Sequence, residues 1–230
     1  MEWKQASRQR ILRWWYNAPT VRSLLRRDYV LLRDKSVDEA KDNTAVEYWE
    51  ARDRILDEVA QALGAVDPYQ VEALVEAITA ADQLFLIGVG RVMLSLQAFA
   101  KRLNHLGIRA HCVGDINEPA ITRDGLLIVG SCSGKSEVPV TIARIAHRHG
   151  ARIALIGSNP GSPLAPIADV FVRIPVRSRL ELPDEIPSEQ LLTSLFEQAL
   201  LLLGDAIALM IARRLGLDPA TLWQYHANLE

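Results

Sequence analysis

With 230 residues, 49% of them hydrophobic and 23% charged, the chain is long enough for one domain with a sizeable core and too short for two full enzymes. Lysine and arginine number 26 against 28 aspartate and glutamate, a net charge of -2, so overall charge selects neither nucleic acid nor an acidic surface as partner. Two cysteines, Cys112 and Cys132, cannot build a disulfide framework or a zinc site, which points to a reducing, cytoplasmic setting. The first residues lack the apolar run of a signal peptide. The most apolar stretch, Ala199 to Ala212, is broken by Gly204 and Asp205, so no membrane span is expected.

Charge is uneven along the chain. Residues 1–35 carry nine basic and three acidic side chains with Trp3, Trp14, Trp15 and Tyr16 among them, and the remainder of the chain carries -8. Residues 1–50 therefore read as an N-terminal helical arm and 51–230 as the folded domain. A basic, aromatic arm can bind nucleic acid or an acidic membrane. Without a nucleic-acid motif, the preferred reading is a helix docking its aromatics on the body or on a neighbouring subunit.

From about Asn43 the apolar residues Val46, Trp49, Ile55, Val59 and Leu63 predict a helix ended by Gly64. Asp67-Pro68-Tyr69-Gln70 then supplies an N-cap, a first-turn proline and a capping-box glutamine for a second helix reaching about Ala80. Apolar runs follow at Leu84–Ile87, Ile108–Val113, Leu126–Val129, Ile153–Ile156 and Val170–Ile174, separated by helical stretches near 92–106, 136–149 and 163–168. This alternation predicts an α/β fold with a five-stranded parallel sheet sandwiched between helices. Such sheets bind ligands beyond the carboxyl ends of their strands, where strand order reverses, so the loops starting at Gly88, Gly130 and Gly157 matter most. Residues 176–188 read as an exposed loop near the site. A long helix over about 189–215 and a short terminal one complete the chain.

The first loop, Gly88-Val89-Gly90-Arg91-Val92-Met93, has Met93 where a dinucleotide fingerprint needs glycine, which argues against NAD. It leaves a glycine turn at Gly90 and a possible anion fork at Arg91. The second, Gly130-Ser131-Cys132-Ser133-Gly134-Lys135-Ser136, clusters hydroxyls and a lysine where a strand gives way to a helix. Free N–H groups and the positive helix end favour an anion there, with Ser131, Ser133, Gly134, Lys135 and Ser136 as its candidate ligands. The spacing is not that of a Walker loop. Cys132 has no partner nearby in sequence and reads as a semi-buried filler. The third loop, Gly157 to Pro163, reads as structural by itself.

Glu197 lies among Leu195, Phe196 and Leu200, where apolar neighbours would raise its pKa toward that of a general base; an exposed helix glutamate is the plainer alternative. His147 and His149 fall on different helix faces and make no metal pair. His226, five residues from the end, carries no weight alone.

Taken together, the chain from about residue 52 to its end resembles the sugar isomerase (SIS) domain family, and within it the 6-phospho-3-hexuloisomerases. The resemblance rests on Ile87-Gly88-Val89-Gly90-Arg91, Phe99 to Gly107, Ser131-Cys132-Ser133-Gly134, Ser158 to Ala165, Ser194-Leu195-Phe196-Glu197-Gln198 and the closing His226-Ala227-Asn228-Leu229-Glu230. It implies a flavodoxin-like three-layer fold and interconversion of 3-hexulose 6-phosphate with fructose 6-phosphate through an enediol, with no cofactor and no metal. It implies phosphate binding at Ser131, Ser133 and Ser136, Glu197 as base, and His226 supplied by a neighbouring subunit of a homodimer or homotetramer. Val92 and Met93 stand where serine and glycine are usual, removing a hydroxyl and placing a larger side chain at the pocket; Cys132 and Ser136 stand for glycine and threonine, and Leu192-Thr193 for Met-Gly. Two alternatives remain: a non-catalytic phosphosugar-binding regulator with residues 1–50 as its output element, and an isomerase for another sugar phosphate.

Overall fold

The structure is a computed structural model that describes residues 43–218 and 220–226. The chain divides after Ala51 into two units. The basic arm and the last four residues lie outside the described residues.

Helix α1 (Asn43–Gly64) is followed by α2 (Pro68–Ala80), whose N-cap Asp67 accepts from the Tyr69 N–H at 2.9 Å, with Pro68 in the first turn as expected. Gln70 forms no capping box. Its Oε1 instead accepts the Arg173 N–H at 2.8 Å, because the end of strand β5 passes close enough to offer a main-chain donor.

Among the described residues, strands β1 (Leu84–Ile87), β2 (Ala110–Cys112), β3 (Leu126–Gly130), β4 (Arg152–Gly157) and β5 (Val170–Arg173) form one parallel sheet in the order β2-β1-β3-β4-β5. Leu84 pairs with Ala110 on one side and Leu126 on the other; Leu126 pairs onward with Arg152, and Ala154 with Val170. The connecting helices are α3 (Arg91–His105) and α4 (Glu137–Arg148), with a short 3₁₀ turn at Ala165–Ile167 and the long helix α5 (Ser194–Arg214) after β5.

The sheet is buried on both faces because successive side chains point to opposite sides. Leu84, Leu86, Leu126, Ile128, Ala154 and Ile156 pack with α2, α3 and α5. Phe85, Ile87, Leu127, Val129, Ile153 and Leu155 pack with Val140, Ala143 and Ala146 of α4. This is the expected three-layer α/β architecture.

Helix α5 is long and apolar enough to cross a membrane by length and composition. Its Leu195, Phe196, Leu200, Leu203, Ile207 and Ile211 are nevertheless buried in the core. Gly204 lets α5 approach α3 closely: a Cβ there would lie 2.9 Å from the Phe99 ring. The helix starts at Ser194, not near 189, since residues 188–190 are drawn away by Glu58 and Leu192 adopts a positive φ of 54° that no α-helix continues. Past α5, a 3₁₀ turn spans Thr221–Tyr225.

Candidate active site

The strand order reverses between β1 and β3, where one crossover runs to β2 and the other toward β4. Loops leaving their carboxyl ends diverge and open a crevice there. A cavity of about 750 Å³ occupies this place, lined among others by Gly90, Arg91, Val92, Ser131, Cys132, Ser133, Ser136 and Glu197.

The hydroxyl loop after β3 is held as an extension of the sheet. Ser131 N–H donates to the Ile156 carbonyl at 3.0 Å, and Ser158 N–H to the Cys132 carbonyl at 2.9 Å. The Asn159 amide donates to the Ser133 carbonyl at 2.9 Å. The third loop thus buttresses the second. Within the loop, Ser131 Oγ accepts the Gly134 N–H at 3.1 Å and Ser133 Oγ accepts the Lys135 N–H at 3.3 Å, which leaves both hydroxyl protons free to be donated. Ser136 is the N-cap residue of α4 but makes no capping bond with its side chain. Its hydroxyl lines the cavity instead.

Two candidate ligands of this loop are placed differently from expectation. Gly134 is buried with φ 65° and packs on Ser162, shaping the turn without lining the cavity. Lys135 is exposed and is not part of the lining either. Met93 also departs from expectation: it packs against the core, and only Val92 of that pair lines the cavity.

Cys132 is buried, and its thiol is pushed up to about 12 by desolvation, with the Glu185 and Glu197 carboxylates adding to the shift. A thiol that stays protonated at neutral pH is no nucleophile.

Glu197 sits in the first turn of α5 and is 7% exposed. The apolar isolation expected of it is not found, since both carboxylate oxygens are engaged. Arg91 Nε donates to Oε2, and Thr193 Oγ1 donates to Oε1 at 2.9 Å. The Ser95 hydroxyl donates to the Glu197 main-chain carbonyl at 2.8 Å and ties α3 to α5. The carboxylate is therefore fixed in plane, buried at its root, and open to the cavity beside the exposed Arg91 guanidinium.

His226 is not brought to this place within its own chain. It stacks on His105 at a ring distance of 5.4 Å and lies 5.2 Å from the Trp223 ring. His105 ends α3 while Arg91 begins it, and a 15-residue helix spans about 21 Å.

Several lining residues come from the segment between β5 and α5: Arg177, Ser178, Arg179, Glu181, Gln190 and Thr193. None was legible as a site residue, because the segment has no periodicity. Two carboxylates fold it. Glu185 accepts from Ser178 N–H at 2.9 Å, Ser178 Oγ at 2.6 Å, Leu182 N–H at 3.2 Å and Ser158 Oγ at 3.2 Å. Glu58 of α1 accepts from Ser188 Oγ at 2.6 Å, Glu189 N–H at 2.9 Å and Gln190 Nε2 at 3.0 Å. The one sequence signal for Glu58 is its spacing of three from Ile55 and four from Ala62, a charge set into an apolar stripe.

Burial pushes the Glu58 carboxyl up, but the Glu189 N–H, the Ser188 and Gln190 side chains and the Arg54 charge outweigh it and hold it below the usual value. A carboxylate lowered on folding stabilises the protein above its unfolded pKa and loses that contribution as pH falls through the folded one. Thermal melts of the wild type are therefore expected to fall with pH below about 4.5, the ordinary glutamate value, more steeply than those of Glu58→Gln, which starts lower. Parallel pH profiles would refute this assignment.

Comparison with known proteins agrees with this geometry. The model of the SIS domain matches residues 77–194. The 3-hexulose-6-phosphate isomerase of Mycobacterium gastri is 40% identical over 176 residues, 76% of this chain and 88% of that protein. Its counterpart of the same name in Bacillus subtilis is 35% identical over 177 residues, 76% of this chain and 95% of that protein. A crystal structure of a hypothetical protein from Methanococcus jannaschii, inferred to function as a 3-hexulose-6-phosphate isomerase, matches with a TM-score of 0.67 at 28% identity, covering 79% of this chain and 99% of that one. The sheet order, the hydroxyl loop and these similarities lead to one statement of kinship: the chain belongs to the SIS domain family.

Proposed function

We propose that the chain is a sugar-phosphate isomerase that interconverts 3-hexulose 6-phosphate and fructose 6-phosphate without a cofactor. The observation that carries the reading is a buried, two-point-held carboxylate, Glu197, on the same cavity as three serine hydroxyls at the start of α4. The likeness to relatives named for this activity supports it.

In this reading the phosphate rests on Ser131, Ser133 and Ser136 at the positive end of α4. Glu197 takes the proton from C2 of the open-chain 3-hexulose, and the electron pair left behind forms the C2–C3 double bond. The carbonyl electrons move onto O3, which takes up a proton. The O2–H then gives up its proton, the C2 carbonyl forms, and Glu197 returns a proton to C3. Arg91, adjacent to the carboxylate, meets the negative charge that develops on the enediolate oxygen. His226 lies at the far end of α3, so its place in the reaction would be at the site of a neighbouring subunit in a homodimer or homotetramer, passing the hydroxyl proton. Two free, buried cysteines suit a reducing, cytoplasmic setting.

Proton NMR in deuterium oxide on a panel of hexulose, pentulose and heptulose phosphates tests the substrate. Fructose 6-phosphate is expected to yield 3-hexulose 6-phosphate carrying solvent deuterium at C2. Turnover of another member of the panel with this pair inert would overturn the assignment.

A further inference from the structure

We infer that Arg179 is the cation that meets the substrate's phosphate, a role that rests on the reading of the cavity as a phosphosugar site. A phosphate dianion on serine hydroxyls and helix N–H groups gains most from a guanidinium fork beside it. Lys135, the cation suggested by the hydroxyl loop, is exposed and outside the lining. Among the described residues three arginines line the cavity. Arg91 is engaged by Glu197. Arg177 donates to the Ser188 carbonyl at 3.3 Å and faces Glu181 at 3.8 Å, so the carboxylate that would repel a phosphate is also offset there. Arg179 has neither a hydrogen bond nor an ion pair among the described residues, although it borders a cavity containing two carboxylates.

Its side chain is exposed, but unlike that of Lys135 it lines the cavity, and the backbone that carries it is anchored. The preceding residue, Ser178, is buried and bonded through both its N–H and its hydroxyl to Glu185. Glu185 also accepts from Ser158, the neighbour of the Asn159 whose amide holds the Ser133 carbonyl. One short chain of hydrogen bonds thus anchors the Arg179 loop to the hydroxyl cradle. Arg173 clamps the far side of the loop, donating from Nη2 to Asp184 at 2.9 Å and from Nε to the Ser158 carbonyl at 2.8 Å. An arginine on a loop tied to the cradle, with its side chain on the same cavity, serves the phosphate end of the substrate, while Arg91 serves the reacting carbons.

The test combines turnover of 3-hexulose 6-phosphate with isothermal titration of inorganic phosphate, on full-length wild type, Arg179→Ala and Arg179→Lys. Arg179→Ala is expected to raise KM and the phosphate dissociation constant together, each by about 10- to 100-fold, with kcat within about threefold and Tm unchanged. Arg179→Lys is expected to recover part of the loss by restoring charge without the fork. A folded Arg179→Ala variant that binds phosphate as tightly as wild type, with turnover intact, overturns the inference and leaves the isomerase reading standing. Wild type that turns over no sugar phosphate but binds inorganic phosphate through Arg179 overturns the isomerase reading alone. Wild type that binds no phosphate overturns the inference.

Discussion

Replacing Glu197 with glutamine is expected to lower isomerisation by about 10²- to 10⁴-fold, and to remove solvent deuterium uptake to the same extent, while phosphosugar binding survives. The amide keeps the shape of the side chain and can still accept from Thr193 through its oxygen. It cannot take a proton from carbon at neutral pH. The proposed phosphate contacts lie on a different loop, after β3, that makes no hydrogen bond to Glu197 among the described residues, so binding and chemistry are expected to separate. Steady-state kinetics with a parallel deuterium-exchange assay and a binding titration make the measurement. Near-wild-type turnover would remove Glu197 as the base. Loss of binding in proportion to loss of rate would make its role structural.

Gly134→Ala is expected to break the proposed phosphate cradle with Glu197 untouched. The residue has φ 65°, and an added Cβ would lie 2.3 Å from Ser162 Cβ and 2.7 Å from its Oγ. Left-handed backbone at a non-glycine residue and overpacking each cost about 1–3 kcal/mol, so the loop must move. Movement pulls the Gly134 N–H from Ser131 Oγ, and with it the orientation of the hydroxyl that faces the cavity. The expected signature is a fall in Tm together with at least a tenfold weaker affinity for inorganic phosphate. An alanine variant with wild-type melting and phosphate affinity would show that the turn tolerates side chains and that its glycine has no part in the cradle.

The alternation of apolar runs with helical stretches made the layer architecture legible, since a sheet covered on both faces must be apolar at nearly every strand position. Glycine and serine density marked the hydroxyl loop, and the residues around Glu197 marked the carboxylate through the family resemblance. Local pattern failed where a distant partner decided the outcome. Gln70 looks like a capping residue until β5 offers it a main-chain donor. The start of α5 shifts to Ser194 because Glu58, more than a hundred residues earlier, captures residues 188–190. Lys135 is next to cavity-lining Ser136 and two residues from Ser133, and still does not line the cavity, which spacing alone does not reveal. Arg177 and Arg179 belong to a stretch whose shape is set by hydrogen bonds to Glu185, which leave no imprint of period two or 3.6.

The cavity draws its walls from two kinds of chain. One wall grows directly out of the sheet: the hydroxyl loop continues the ladder of β3 and β4, so altering it disturbs the core. The opposite wall, residues 177–193, hangs on two anionic hubs, Glu185 and Glu58. Substitutions on the second wall away from these hubs can therefore accumulate at little risk to folding, except at Arg179, where the proposed phosphate contact would be lost with them.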